Sequence, residues 1–170
     1  MTLLVSDECH KYSILATDTA LFSVSLNFDI SQIAELKKMN FDLSLVPIEA
    51  GQTIRLNSIF FETESSVLEQ ESMPELERMV KIMNDHTSLK IEISGHTDNK
   101  GGTDFNHRLS EKRAQAVVDH LVDLGIDKQR LKAIGYGETK PIVPNENPNG
   151  SDNPEGRQLN RRTEFEVIGD

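Results

Sequence analysis

A polar, glycine-rich segment at residues 95–102 carries the residues best suited to bind a ligand. It reads GHTDNKGG and lies between a predicted strand and a predicted helix. Ligands of α/β folds bind beyond the carboxyl ends of the strands, and glycines let the backbone approach a ligand closely. Asp98 would then offer a carboxylate to an ammonium group. A polar turn with Asp98 near a helix start would have the same composition, so both interpretations stay open.

Arg113 is the second candidate, because of its position in a predicted helix. On a helical wheel it falls on the row of Leu109 and Val117, in the middle of an apolar stripe. An unpaired guanidinium there would be costly, so Arg113 needs a fixed acidic partner or an anionic ligand. Two alternatives explain this position without a ligand. Arg113 could form a structural ion pair, or the apolar stripe could emerge at a sheet edge, where the guanidinium would reach solvent.

The spacing of the possible ligands does not predict a metal site. Residues 98–104 resemble the opening of an EF-hand calcium loop, but Leu109 stands where that loop requires a bidentate glutamate. Zinc-ligand spacing is absent among the histidines His86, His96, His107 and His120. The phosphate-binding patterns GxxxxGK[ST] and GxGxxG are also absent. We therefore expect neither a metal ion nor a cofactor.

Catalysis has no positive support in the sequence. Ser94, His96 and Asp98 are neighbours at one strand end, so their side chains cannot converge as a catalytic triad. The GxSxG nucleophile motif is missing. We therefore predict a protein that is not an enzyme and has no catalytic residues.

Alternating strands and helices from Gln52 onward would position these candidates. Apolar alternation predicts strands over residues 54–61, 89–93, 131–136 and 163–167. A long loop rich in Pro, Asn and Gly is predicted at residues 137–156. Strands that alternate with helices indicate an α/β sandwich whose helices pack on one sheet.

Two helices are predicted between these strands. The first begins at a capping box of Ser72 and Glu75, with Pro74 in its first turn. Its apolar face consists of Leu76, Met79, Val80 and Met83. Gly125 is well placed as the C′ residue that follows the second helix. Its apolar stripe consists of Phe105, Leu109, Val117, Leu121 and Leu124.

Residues 1–51 are predicted to form a separate β-rich segment, and residues 52–170 the main domain. Strands are predicted at residues 12–16, 21–28 and 41–48, and a helix at residues 30–39. Three strands and a helix are few for an independent core. We therefore interpret this segment as the tail of a larger β-sandwich.

Charge and hydropathy limit the partners. The formal charge of −10 argues against nucleic acid and anionic membranes, which require a basic face. No stretch approaches the roughly 18 apolar residues of a membrane span, so direct membrane insertion is not expected. The first residues also lack the pattern of a signal peptide, so a protein acting outside the cytoplasm would need an export signal missing from this chain. Cys9 is the only cysteine, which excludes an intramolecular disulfide.

Several separated motifs resemble one known family. These are ISGHTDNKGGTDFNHRLSEKRAQAVVDHLVDLGI, then GYGETKPIVPN, then GRQLNRRTEFEV. Together they resemble the OmpA-like peptidoglycan-binding domain, found in porin-type outer-membrane proteins, the Pal lipoprotein and the MotB stator protein. The resemblance covers about residues 53–168. The join VPIEAGQTIRLNSIFFET resembles Bacteroidetes-type members, in which the domain follows a carboxypeptidase-regulatory-like β-sandwich.

The resemblance implies a fold, a ligand and a location. The fold is a βαβαβ(α)β sandwich with helices packed on a four-stranded mixed sheet. The ligand is the peptidoglycan stem peptide, chiefly meso-diaminopimelate. Binding would anchor an outer-membrane or envelope complex to the cell wall, in the periplasm. The alternative is an accessory or scaffold domain of a secretion or motility machine, in which Asp98 and Arg113 form a merely structural pair.

The resemblance also implies a set of site residues. Asp98 and Arg113 match the family pair that holds the amine and carboxylate of the zwitterionic side chain. Arg162 of the NRR motif is the expected third charged contributor. In many relatives the first strand ends in FDFD and offers backbone N–H groups, whereas this chain has Phe-Glu-Thr-Glu at residues 61–64. The remaining implied residues are Asn106, Leu109, Thr97, Thr63 and Glu64.

Overall fold

The computed structural model divides the chain into two units, residues 1–48 and residues 49–170. The structure describes residues 49–56, 58–62 and 64–169, together with the backbone of five strands among the first 48 residues. The interpretation of residues 1–51 as the remnant of a preceding domain remains a prediction.

The first unit contains short antiparallel strands. They are β1 (Thr2–Val5), β2 (Lys11–Ala16), β3 (Leu21–Phe22), β4 (Val24–Asp29) and β5 (Val46–Pro47). One sheet has the order β1-β2-β4, and β3 pairs with β5 in a second sheet.

The sequence predicted only part of this arrangement. The strand predicted at residues 12–16 is confirmed as β2. The strand predicted at residues 21–28 is instead two strands that belong to different sheets. The predicted helix at residues 30–39 lies outside the described residues, as does most of the strand predicted at residues 41–48.

The second unit has four strands and three α-helices. They are β6 (Thr53–Leu56), α1 (Met73–Asp85), β7 (Lys90–His96), α2 (Thr103–Asp123), β8 (Leu131–Gly137), α3 (Pro154–Asn160) and β9 (Thr163–Gly169). The strand order is β6-β9-β7-β8. Strands β7 and β8 are parallel, whereas β9 runs antiparallel to both β6 and β7. The predicted mixed four-stranded sheet with helices packed on it is confirmed.

The core lies between one face of this sheet and the two longer helices. Alternate residues of β7 and β9 point into it, namely Ile91, Ile93, Phe165 and Val167. Helix α2 packs on β7 and β8, and α1 packs on α2. The buried helix residues are chiefly Leu76, Met79 and Met83 of α1 and Ala114, Val117 and Leu121 of α2. None of the described helices is long and apolar enough to cross a membrane.

Two glycines let α2 lie directly on the strands. Gly95 of β7 and Gly135 of β8 are partners in the ladder. A Cβ at Gly95 would lie 2.3 Å from the Ser110 carbonyl oxygen, and one at Gly135 would lie 2.3 Å from the Glu111 nitrogen. Real Cβ atoms do not approach a backbone this closely, so the helix backbone and the strand backbones are in contact without intervening side chains.

The predicted apolar stripe of α2 is partly wrong. Phe105 is 47% exposed and Leu124 is 43% exposed. The first half of the buried face consists of small or polar residues, Asn106, Ser110 and Ala114, and the second half contains Val118 together with the predicted Val117 and Leu121. The glycine contact explains this difference, because it favours small residues rather than large apolar ones. Arg113 therefore borders the buried face and is half-buried.

The predicted capping box of α1 is also wrong. Ser72 is the last residue of a 3-10 turn, Gln70–Ser72, and caps nothing with its side chain. Its hydroxyl accepts a hydrogen bond from the Phe60 nitrogen at 2.8 Å and donates to the Phe60 carbonyl at 3.0 Å. Glu75 forms an ion pair with Arg78. Ser72 therefore ties α1 to the segment that follows β6.

Two further differences concern the ends of the predicted elements. Strand β6 ends at Leu56, and Phe61 forms only an isolated bridge with Leu68, so the strand predicted to residue 61 is too long. The predicted loop at residues 137–156 runs into α3, which the residue patterns did not predict. Asn153 caps this helix by accepting a hydrogen bond from the Gly156 nitrogen at 3.0 Å.

Candidate functional site

The loop that follows β7 holds Asp98 in a closed turn. Asp98 is only 6% exposed, and its Oδ1 accepts a hydrogen bond from the Lys100 nitrogen at 2.9 Å. The preceding Thr97 nitrogen donates to the Gly137 carbonyl of β8 at 2.9 Å. The carboxylate is thus positioned by backbone contacts to its own loop and to the neighbouring strand.

Asn106 closes this loop from the first turn of α2. It is 2% exposed. Its side-chain amide donates to the carbonyls of Asp98 at 3.3 Å and Lys100 at 3.0 Å, and to Glu138 Oε2 at 2.5 Å. Since both amide hydrogens are committed, Asn106 positions Asp98 and presents no free amide hydrogen.

Asp98 is already paired with two arginines of the segment around α3. Its Oδ2 accepts from Arg157 Nη1 at 3.3 Å and forms a second ion pair with Arg161. Although burial raises the pKa of this carboxyl, the Lys100 amide and the Arg161 and Arg157 guanidinium groups hold the pKa below its usual value. Asp98 is therefore a negative charge near neutral pH.

Arg157 is in turn held by Asp152. Arg157 Nε and Nη2 donate to the two Asp152 carboxylate oxygens at 3.0 and 2.7 Å. Lys100 Nζ lies 3.3 Å from Asp152 Oδ1. These contacts connect the Asp98 loop to the segment that begins α3.

Arg113 has a very different environment. Its Nε donates to the Ser65 carbonyl at 2.9 Å, and its guanidinium carbon lies 5.1 Å from the centre of the Phe61 ring. In the described part of the chain Arg113 forms no ion pair with a carboxylate. Burial lowers the pKa of Arg113, and the nearby positive charge of Arg161 lowers that pKa further. Asp98 and Arg113 do not pair with each other.

The two arginines of the NRR motif differ in their placement. Arg162 is 8% exposed, and its guanidinium donates to Glu164 Oε1 at 2.6 Å and to the Asn160 and Lys140 carbonyls at 3.3 and 3.1 Å. Arg161 is the one that contacts Asp98. Sequence reasoning preferred Arg162 to Arg161 within this motif, and it missed Arg157. The spacing of four residues between Arg157 and Arg161 would have placed them on one helix face, but only once α3 had been predicted.

A buried polar network lies beneath the Asp98 loop. His96 is 3% exposed, and its Nε2 lies 3.4 Å from Glu164 Oε2 and 3.3 Å from Ser94 Oγ. Its ring stacks on Tyr136, with centroids 5.4 Å apart. The His96 hydrogen bond, and then Arg162, lower the pKa of Glu164 to about 2 against the opposing effect of burial.

The other predicted site residues lie around these charges. The Thr97 hydroxyl is buried, and it has no hydrogen-bond partner among the described residues. Leu109 is half-buried on α2, one turn before Arg113. Glu64 is exposed with φ of 54°, in a turn where the Ser65 nitrogen donates to the Glu62 carbonyl at 3.1 Å. Thr63 lies outside the described residues.

Together these contacts define a charged site in which, among the described residues, Arg113 has no carboxylate partner. Asp98 and Arg161 come from one side and Arg113 from the other, and no group of His, Cys, Asp and Glu in the described residues could hold a metal ion. The arrangement is suited to hold a small ligand that carries both an ammonium group and a carboxylate.

A family model described as "OmpA family" matches residues 60–154 of the chain. Two curated relatives illustrate the range of matches. A Gloeobacter violaceus protein named photosystem I P700 chlorophyll a apoprotein A2 is 44% identical over 120 residues, which cover 70% of this chain and 14% of that protein. The peptidoglycan-associated lipoprotein of Rhizobium meliloti is 33% identical over 153 residues, which cover 84% of this chain and 87% of that protein.

Among solved structures, the cell wall anchor of the T6SS from Pseudomonas aeruginosa is 30% identical with a TM-score of 0.56. The match covers 69% of this chain and 80% of that one. Three of the curated relatives are much longer than this chain, which spans between 14% and 34% of their length.

Proposed function

This chain belongs to the OmpA family, and on that premise we propose that it binds peptidoglycan without covalent chemistry, through the diaminopimelate residue of the stem peptide. Binding would anchor an outer-membrane or envelope complex to the cell wall from the periplasm. The similarity of this chain to a peptidoglycan-associated lipoprotein and to a cell wall anchor supports this proposal. The acidic net charge of −10 gives no support to nucleic acid as a partner.

The observation that carries the proposal is the half-buried Arg113 guanidinium, which has no carboxylate partner among the described residues. Its hydrogen bond to one carbonyl and its contact with an aromatic ring leave donors available for an anion. The planar fork of Arg113 matches a carboxylate, and charge-assisted hydrogen bonds of this kind are about twice as strong as neutral ones. Asp98 offers the opposite charge for the ammonium group of the same ligand.

The remaining residues have proposed supporting roles. Thr97 would contribute its unpartnered hydroxyl, and Leu109 would cover the apolar part of the ligand side chain. Thr63 and Glu64 would present backbone N–H groups to the carboxylate, as the family resemblance implies. Asn106 and Arg162 would act indirectly, since their side chains hold the loop and the start of β9.

Single substitutions at the two charges test the proposal. We expect Asp98→Ala and Arg113→Ala each to lower binding to insoluble, diaminopimelate-containing peptidoglycan by at least roughly tenfold, because each removes a charge-assisted contact. The measurement is co-sedimentation of the purified chain with peptidoglycan sacculi. Matched controls are Arg108→Ala and Asp123→Ala, two exposed charges on α2. Unchanged binding in both site variants, with circular dichroism showing intact folds, contradicts the assigned site.

A structural role for Asp98 is the second candidate, because its carboxylate already has two arginine partners. In that case the chain is an accessory or scaffold domain of an envelope machine. Asp98→Ala would then lower the melting temperature strongly, while wild-type and Arg113→Ala proteins would sediment with peptidoglycan to the same small extent. A matched pair of melting and sedimentation curves separates the two functions.

A further inference from the structure

The two arginines that hold Asp98 are not equivalent. Arg157 is fixed, since it donates two hydrogen bonds to Asp152 and its side chain is 17% exposed. Arg161 is 38% exposed, and within the described part of the chain its guanidinium has one other hydrogen bond, to the Gln158 side chain. Because fewer contacts restrain it, Arg161 is the partner of Asp98 that can move with the smaller loss of interactions.

Arg161 also interacts electrostatically with two charges of opposite sign, Asp98 and Arg113. Asp98 attracts it, and Arg113 repels it at a range short enough to affect the acidity of Arg113. Two guanidinium groups that face the same site repel each other unless an anion joins them. A ligand carboxylate that reached Arg113 would therefore also attract Arg161.

We infer that Arg161 occupies, in the free protein, the contact with Asp98 that the ligand ammonium takes in the complex. On binding, the ammonium replaces Arg161 at Asp98 Oδ2, and Arg161 joins Arg113 on the ligand carboxylate. Asp98 and Arg161 then each keep the same number of ion pairs as in the free protein, while Arg157 keeps Asp98 in place. This exchange rests on the proposed function, because it concerns the same ligand in the same site.

The exchange makes Arg161 a specificity-determining residue. When the ammonium group of a zwitterionic ligand displaces Arg161 from Asp98, the carboxylate of the same ligand becomes the new partner of Arg161. An amine without the distal carboxylate displaces Arg161 and leaves it beside Arg113 with no anion, which is unfavourable. Discrimination between the zwitterion and the amine that lacks the distal carboxylate thus depends on Arg161 as well as on Arg113.

Two soluble probes test this inference. They are the tripeptides L-Ala–γ-D-Glu–meso-diaminopimelate and L-Ala–γ-D-Glu–L-Lys, which differ in the distal carboxylate. Binding to the full chain is measured by titration calorimetry, or by NMR shift titration where binding is weak. For Arg161→Gln we expect the affinity for the diaminopimelate peptide to fall roughly tenfold, and the affinity for the lysine peptide to rise severalfold.

Matched variants separate this effect from a general loss of structure. Arg157→Gln removes a fixed partner of Asp98, so it should weaken both peptides and leave their affinity ratio within about twofold of the wild type. Arg161→Lys keeps the positive charge but loses the planar fork, so its ratio should lie between those of wild type and Arg161→Gln. The opposite signs for the two peptides are a result that unfolding cannot produce.

The outcomes also distinguish this inference from the proposed function. If the lysine peptide does not gain affinity in Arg161→Gln, the exchange is wrong, even where Asp98→Ala and Arg113→Ala abolish binding. If wild-type protein binds neither the diaminopimelate peptide nor intact peptidoglycan, the proposed function is wrong and the exchange is rejected with it.

Discussion

The Asp98 side and the Arg113 side of the site differ in how firmly they are held. On the Asp98 side, the loop after β7 is hydrogen-bonded to β8, to Asn106 of α2 and to the arginines of the α3 segment. On the Arg113 side, one carbonyl and one aromatic ring from residues 61–65 contact the guanidinium. One charge is therefore preorganised, whereas the other has few restraints.

This difference separates two contributions to binding. For the proposed ligand, a preorganised group loses little conformational entropy on binding, so the Asp98 side would favour affinity. A less restrained group can adjust to its ligand, so the Arg113 side would follow the position of the proposed carboxylate. Substitutions that weaken one side only should therefore have effects of very different size.

The largest effect is expected from Asn160, which ends α3. It is fully buried, and its side chain makes four hydrogen bonds to residues 142–145. Asn160→Ala leaves buried backbone groups unpaired, so we expect the free energy of unfolding to fall by about 3 kcal/mol or more. Chemical denaturation followed by circular dichroism measures this, and peptidoglycan binding should fall with it.

Asn147 gives the matched control, because its amide also donates two hydrogen bonds but is exposed to solvent. Asn147→Ala should lower the free energy of unfolding by less than about 1 kcal/mol. If both substitutions lowered the free energy of unfolding equally, the buried contacts of Asn160 would not stabilise the α3 segment on the Asp98 side.

An intermediate effect is expected from Glu164, which supports the Asp98 side from below. Its pKa is lowered from 4.5 to about 2 by the His96 hydrogen bond and then by Arg162. A lowered folded-state pKa stabilises the fold above pH 4.5, and that stabilisation disappears as the pH falls towards 2. The shift corresponds to roughly 2–3 kcal/mol after allowance for solvent screening.

The pH dependence of unfolding checks this value. Glu164→Gln should be less stable than wild type at neutral pH, and the gap should close as the pH falls from 4.5 to 2. Glu166→Gln is the control, since Glu166 lies on the same strand two residues further on. A gap that stays constant over this pH range, or that Glu166→Gln reproduces, contradicts the assignment to Glu164.

The smallest effect is expected on the Arg113 side. Glu64 is the one non-glycine residue with positive φ in the described part of the chain. The left-handed conformation is unfavourable for a side chain with a Cβ, so Glu64→Gly should raise the free energy of unfolding by up to about 1 kcal/mol. Thermal melting measures the change, with the neighbouring exposed Glu62→Gly as control. A lower melting temperature in Glu64→Gly would contradict the strained turn.

Local patterns predicted most of the second unit. Helices α1 and α2 and strands β7, β8 and β9 follow from apolar periodicity, because that periodicity reflects which face is buried. The patterns failed where a distant group decided the outcome. Ser72 has the right neighbours for a capping box, but its hydroxyl is hydrogen-bonded to the backbone of Phe60, 12 residues earlier.

The charges of the candidate site could be predicted only in part. Asp98 and Arg113 were identified from a loop motif, a helical wheel and a family resemblance. Their partners could not be, because Arg157 and Arg161 are 59 and 63 residues from Asp98 in sequence. The start of α3 did carry a local signal, Asn153 followed by Pro154 and Glu155, but the surrounding Pro, Asn and Gly residues favoured a loop.

The glycine contact beneath α2 limits how this site can change during evolution. Asp98 follows Gly95 by three residues, and Arg113 follows Ser110 by three residues. The helix and the strand meet at Gly95 and Ser110 through their backbones, so no exchange of core side chains can alter the spacing between the two charges. Under the proposed function, a zwitterion of different length would require an insertion or deletion in the loop. Point mutations at the rim would change the strength of binding, whereas the length of ligand that fits would be inherited with the fold.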